Sequence, residues 1–245
     1  MFATCPLLLD TYTRMSEALG IVAAAAGGVL PALAWLWFWL REDSKHPEPR
    51  RLIALAFVAG MVCVAVAVPI EKFVQGYLVT TVMIFTAWSI IEEVLKYLFA
   101  YGTVLRRRED DEPIDPVIYM VTVALGFAAA ENTLFLLSPI AGSTTLQVLI
   151  TGNLRFIGAT LLHVISSAAI GVCIGMVFYK SKAVRRYATV VGVILACALH
   201  ASFNFFILEA PEETLLRTFS FVWVGVIVLL AVLEYVKRIH PKLVR

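Results

Sequence analysis

Charge is what this sequence has least of. Of 245 residues, 16% are Asp, Glu, Lys or Arg, against 60% hydrophobic. Soluble domains carry about 25% charged residues. With a mean hydropathy of +0.86, this scarcity excludes a soluble globular domain and predicts a polytopic membrane protein. The net charge of +2 is too small to suggest nucleic acid as a partner. Cysteine is scarce too. Cys63, Cys173 and Cys197 fall in apolar runs and Cys5 lies near the start. With no CxxC pair and no even framework of spacings, they read as small hydrophobes rather than metal ligands or disulfides. The first 15 residues include Asp10 and lack a basic leading segment, so no cleavable signal peptide is expected. Low-complexity tracts, internal repeats and the HExxH zinc motif are also missing.

What is there is a series of long apolar runs. A helical span needs about 20 apolar residues. Seven candidates follow, at 18–40, 52–70, 77–102, 117–137, 154–179, 187–208 and 217–236. Their short connections predict one all-α domain over 1–245, a transmembrane helical bundle. Basic residues alternate with every crossing. Arg41, Lys45, Arg50 and Arg51 follow the first span, Arg106–Arg108 the third, and Lys180, Lys182, Arg185 and Arg186 the fifth, while Lys237, Arg238, Lys242 and Arg245 form the tail. Positive residues favour the cytoplasmic side, so the N-terminus is expected outside and the C-terminus in the cytoplasm. Pro31 reads as a kink and Pro69 as the end of the second span. Trp35, Trp37 and Trp39 read as interfacial anchors, and segment 139–152 as lying along the outer interface.

Against this background a few polar residues are out of place. "AWSIIEEVLKYLF" puts Glu92, Glu93 and Lys96 in the third span. The fourth carries Glu131 and Asn132, the fifth His163, and the sixth His200 and Asn204. A charge at the bilayer centre costs about 2.5–3.5 kcal/mol on insertion scales, which makes each a functional-site hypothesis. At a rise of 1.5 Å per residue, Glu92, Glu131, His163 and His200 lie roughly 15–24 Å from the basic ends of their helices. They occupy one layer, within 87–208. Glu92 and Lys96 are spaced i, i+4 with the acid first, the favourable order for a helical pair. Glu93 points about 100° away from Glu92. Ser166 and Ser167 read as back-bonded or close-packed.

A carboxylate in a water-poor cavity can take a proton from water. The water then attacks a carbonyl, and the oxyanion needs donors such as a histidine and an asparagine amide. Glu92, His200 and Asn204 fit by type, with Glu93, Glu131 and His163 as the remaining site candidates. Glu131, His163 and His200 could instead hold zinc or another divalent metal, with a glutamate as base. No cofactor is the favoured expectation. An ion- or proton-coupled transporter would also bury acids at mid-depth, but should show repeat symmetry and broken helices in matching halves. A non-catalytic membrane factor is the other alternative. A haem protein held by His163 and His200 would leave the acids unexplained.

"EEVLK" (92–96), "FAAAEN" (127–132), the isolated His163 and "HASFN" (200–204) occur in an order that resembles the PrsW family of intramembrane proteases. That family is similar to the CAAX prenyl-protease and bacteriocin-processing superfamily, with its EExxxR, FxxxH and HxxxN motifs. "PALAWLWFWLREDSKHPEPRRLIALAFVAG" (31–60) also resembles the family. The likeness implies hydrolysis of a peptide bond in or beside the membrane, with Glu92 as base and His200 and Asn204 holding the oxyanion. Glu131 stands where the wider superfamily has histidine. The implied substrate is a single-span membrane protein such as an anti-sigma factor, and the implied location is a prokaryotic plasma membrane.

Overall fold

The computed structural model describes residues 6–42, 46–138, 145–209 and 215–240. Among the described residues seven helices follow one another: α1 (Pro6–Leu40), α2 (Arg50–Gln75), α3 (Thr81–Thr103), α4 (Asp115–Leu137), α5 (Thr145–Met176), α6 (Lys182–Glu209) and α7 (Leu215–Val236). Strands are absent among the described residues. Five helices contain stretches long and apolar enough to cross a membrane: Ala18–Leu40, Arg50–Gln75, Asp115–Leu137, Gly158–Met176 and Lys182–Phe205. In α3 the three charged residues interrupt such a stretch, and the described apolar part of α7, Val222–Val236, is shorter. Large apolar side groups stand exposed around the bundle, among them Leu30, Val58, Ile90, Leu98, Ile194 and Ile227. In water such a surface would be a liability; facing lipid it is the expected solution. The protein is a multi-pass integral membrane protein.

α4 is the hub. It packs against α1, α2, α3 and α5. Every residue from Asp115 to Ala129 is buried, and a helix that is apolar on all sides belongs in a core. Close approach to α2 depends on two glycines. A Cβ on Gly60 would fall 2.0 Å from the Val123 carbonyl oxygen, and one on Gly126 2.0 Å from that of Phe57. α3 and α6 close the other side of the bundle, and α7 lies on α5.

The loops at the basic end are stitched together. Asp115 Oδ2 accepts the backbone N–H groups of Asp111 (2.8 Å) and Glu112 (2.6 Å) at the start of α4. The Tyr119 hydroxyl donates to Glu48. Arg51 pairs with Glu109 at 2.7 Å, and Lys237 with Glu42 at 2.7 Å.

Several expectations change. α2 does not stop at Pro69 but runs on to Gln75 with the proline inside it. Proline removes one N–H from the ladder, and the helix tolerates that loss so near its end. α1 also runs through its proline, Pro31, where a kink and not an end is expected. Trp39 is no interfacial anchor, being 1% exposed in the core, whereas Trp37 is 60% exposed with the Arg41 guanidinium 3.8 Å from its ring centroid. Of segment 139–152, residues 139–144 lie outside the described residues, and the remainder belongs to α5.

Candidate active site

Lys96 organises the centre. It is fully buried, and an ammonium has three N–H donors and no acceptor. One goes to Glu92 Oε2 at 3.3 Å, one to Glu93 Oε1 at 2.8 Å and one to His163 Nδ1 at 2.7 Å. The Phe127 ring lies against it, 4.2 Å from ammonium to centroid. The i, i+4 pair expected between Glu92 and Lys96 is present. The divergence expected of Glu93 is only partial, because Lys96 lies three residues on and bridges both acids.

This bonding fixes proton positions. Since lysine only donates, His163 Nδ1 offers its lone pair. Its Nε2 therefore carries the hydrogen and donates to Glu131 Oε2 at 2.7 Å. On α6, His200 Nδ1 donates to Glu93 Oε1 at 2.8 Å. Its Nε2 is left facing Glu92 Oε2 at 3.9 Å. The two imidazoles meet edge to face, with centroids 5.0 Å apart.

Each carboxylate has a different station. Both oxygens of Glu93 are engaged, since Ser167 donates its hydroxyl to Oε2 at 2.7 Å. Glu93 is a buried brace joining α3, α5 and α6. Glu92 Oε1, by contrast, carries no hydrogen bond from the described residues. The Glu131 side group is 44% exposed, so the cluster opens on its side. Asn204 is half-buried and donates to Ser89 Oγ at 3.2 Å, one turn before Glu93 on α3. Asn132 turns away and donates to Thr160 at 3.1 Å, a link between α4 and α5.

All six expected site residues thus lie around one centre, Asn204 at its edge. Two polar contacts of the cluster, Ser167 and Ser89, and the nearby Glu71 are not foreseen from the sequence. Ser167 and Ser89 read as ordinary helix serines, because a hydroxyl can bond its own helix as readily as a neighbour. Glu71, on the extension of α2 beyond Pro69, reads as part of a connection.

A divalent cation tests differently from expectation. The donors within mutual reach are Glu92, His163 and His200, each with one atom within 4.8 Å of the others. Glu131, expected as a ligand, is instead bonded to His163 Nε2. Two nitrogens and an oxygen are a donor set of the type zinc accepts. Yet Lys96 occupies the same lone pairs, at 2.7 Å from His163 Nδ1 and 3.3 Å from Glu92. Zinc would need the imidazole lone pair at about 2.0–2.1 Å. With Lys96 in place the arrangement does not fit a metal.

A membrane-buried cluster of acids and imidazoles on a helical bundle, open on one side, is the class of site that intramembrane hydrolases need. Residues 48–233 match the family described as PrsW family intramembrane metalloprotease, and the protein belongs to that family. It is 30% identical over 193 residues to Protease PrsW of Geobacillus kaustophilus, covering 75% of this sequence and 79% of the relative. Protease PrsW of Clostridioides difficile is 26% identical over 188 residues (74% and 77% covered), and that of Bacillus subtilis 23% over 186 (75% and 82%). No solved structure matches. Membership makes the protein a peptidase that works in the bilayer.

Proposed function

We propose that this peptidase hydrolyses a peptide bond of a single-span membrane protein by glutamate-activated water. The observation that carries the reading is the meeting of Glu92 with His163 and His200, 3.7 and 3.9 Å away, beside a fully committed Glu93. Glu92 has a free oxygen and serves as general base. Glu93 holds His200 in the tautomer that turns Nε2 to the reacting space. Glu92 passes the proton it takes from water to His200 Nε2, 3.9 Å away. The imidazolium so formed donates to the oxyanion and then gives that proton to the leaving amine, and the second amide hydrogen of Asn204 adds a donor from the rim. Glu131 and His163 form a dyad that orders the water. No step is routed through a metal. The basic end of the bundle faces the cytoplasm, so cleavage falls on the far side of mid-depth. An anti-sigma factor is one substrate of that kind.

The test is cleavage of single-span substrates in liposomes. Glu92→Gln lowers kcat by about 10²–10⁴-fold while the protein stays folded. Turnover at the wild-type rate would overturn the role of Glu92. The description of the family as metalloproteases names a second reading, a metal-dependent one, in which Lys96 would have to give up Glu92 and His163. Chelator treatment separates the two: the glutamate mechanism keeps its rate, and the metal mechanism loses it and regains it with zinc.

A further inference from the structure

A helical substrate cannot be cut as a helix, because its amides are closed in their own hydrogen bonds. Unwinding around the scissile bond frees backbone N–H and C=O groups inside the bilayer, where no water pairs them. The enzyme has to offer partners. The six residues of the catalytic cluster do not suffice, because most of their polar atoms are spent on one another.

The α2–α3 hairpin holds two further buried polar atoms without a partner among the described residues, Glu71 Oε1 and Trp88 Nε1. One is an acceptor and the other can only donate. Such atoms are rare in native proteins and call for an explanation. Lys96 cannot satisfy Glu71, since its three donors are committed. Both residues flank the cluster. Trp88 precedes Glu92 by four residues and so stands on the same face of α3, one turn further from the basic end. Glu71 follows Ala67 by four. Ala67 packs with Cys63 and Val64 against Phe127, the ring over Lys96. Glu71 therefore lies a turn beyond that contact, within electrostatic reach of Glu131, Lys96 and Glu92. Counted from the hairpin turn, Glu71 is about 6 Å and Trp88 about 10 Å along their helices.

We propose that Glu71 and Trp88 are positioning residues for the unwound substrate backbone. Glu71 Oε1 accepts a backbone N–H, and Trp88 Nε1 donates to a backbone carbonyl oxygen, on the stretch flanking the scissile bond. The inference rests on the peptidase reading above.

The experiment uses the full-length protein in liposomes and a single-span test peptide with its cleavage point mapped by mass spectrometry. Companion peptides carry one N-methylated residue at each position around that point, each lacking a single N–H. Glu71→Leu and Trp88→Phe raise KM about tenfold and leave kcat within about threefold. Glu71→Gln, whose amide oxygen still accepts, keeps a KM near wild type. One N-methyl position raises KM for wild type and adds nothing in Glu71→Leu. Removing an unpaired buried carboxylate does not weaken the fold, so the unfolding temperature of Glu71→Leu stays level or rises. Unchanged KM in Glu71→Leu and Trp88→Phe, fully additive N-methyl penalties, or a lowered unfolding temperature in both Glu71 variants would each overturn the inference. Absence of cleavage by the wild type would instead overturn the peptidase reading itself.

Discussion

Lys96 carries more of the site than any residue expected to be catalytic, although it touches no reacting atom in the proposed mechanism. Lys96→Met leaves Glu92 and Glu93 buried without their counter-ion. Breaking a buried ion pair from one side costs about 3–5 kcal/mol. The expected outcome is loss of folded protein, read as a drop in monodisperse yield and unfolding temperature in detergent. Ser167→Ala is milder, because it orphans one oxygen of Glu93, at a cost of about 1–3 kcal/mol. That variant should fold, melt earlier and cleave more slowly, since Glu93 also steers His200. The residues legible in the sequence are those whose charge has no business in lipid: Glu92, Glu93, Glu131, His163 and His200. Ser167 is illegible because its partner is 74 positions away and serine has local alternatives. Glu71 is hidden by Pro69, which reads as a terminator and is not one.

The α2–α4 crossing is where helices come closest. Any side group at Gly60 or Gly126 drives into the facing backbone. Gly60→Val is expected to abolish the folded state, whereas Gly102, with nothing within 4 Å of an added methyl, should accept alanine with a gain of about 0.5–1 kcal/mol. Comparative unfolding in detergent checks both. In the α3–α4 loop, burial pushes Asp110 up from 3.8 to about 7, opposed by Arg185. Between about pH 4 and 7 the folded protein then keeps a proton that the unfolded one has released. Stability falls as pH rises through that window, and Asp110→Asn should flatten the decline. The number and order of helices are legible because hydropathy marks each crossing. Their ends are not. α1 begins at Pro6 rather than 18 and α5 at Thr145 rather than 154. Polar turns such as "TGN" at 151–153 lower hydropathy without breaking a helix.

For the whole molecule, basic clusters on alternate connections set the expected orientation, with the N-terminus outside and the tail in the cytoplasm. A reporter fused after Arg245 should be active only as a cytoplasmic enzyme, and one in the 76–80 turn only as an external one. The reverse pattern would place the scissile bond on the other side of the membrane. What hydropathy does not convey is that α4, with no charge between Asp115 and Glu131, is the axis on which the rest is hung. An apolar run facing lipid and one facing protein look alike until packing separates them.

The charges of α3 also bear on how the protein is made. Two carboxylates and an ammonium near mid-helix each add roughly 2.5–3.5 kcal/mol to insertion, so α3 on its own partitions poorly from the translocon. Its partners on other helices are His163 and Ser167 on α5 and His200 on α6, which is synthesised more than a hundred residues later. The nascent polypeptide must hold α3 in a sheltered place until the sixth helix arrives. Hydrolytic capacity and completed biogenesis are therefore one event, and a ribosome that stalls early leaves no half-built peptidase loose in the membrane.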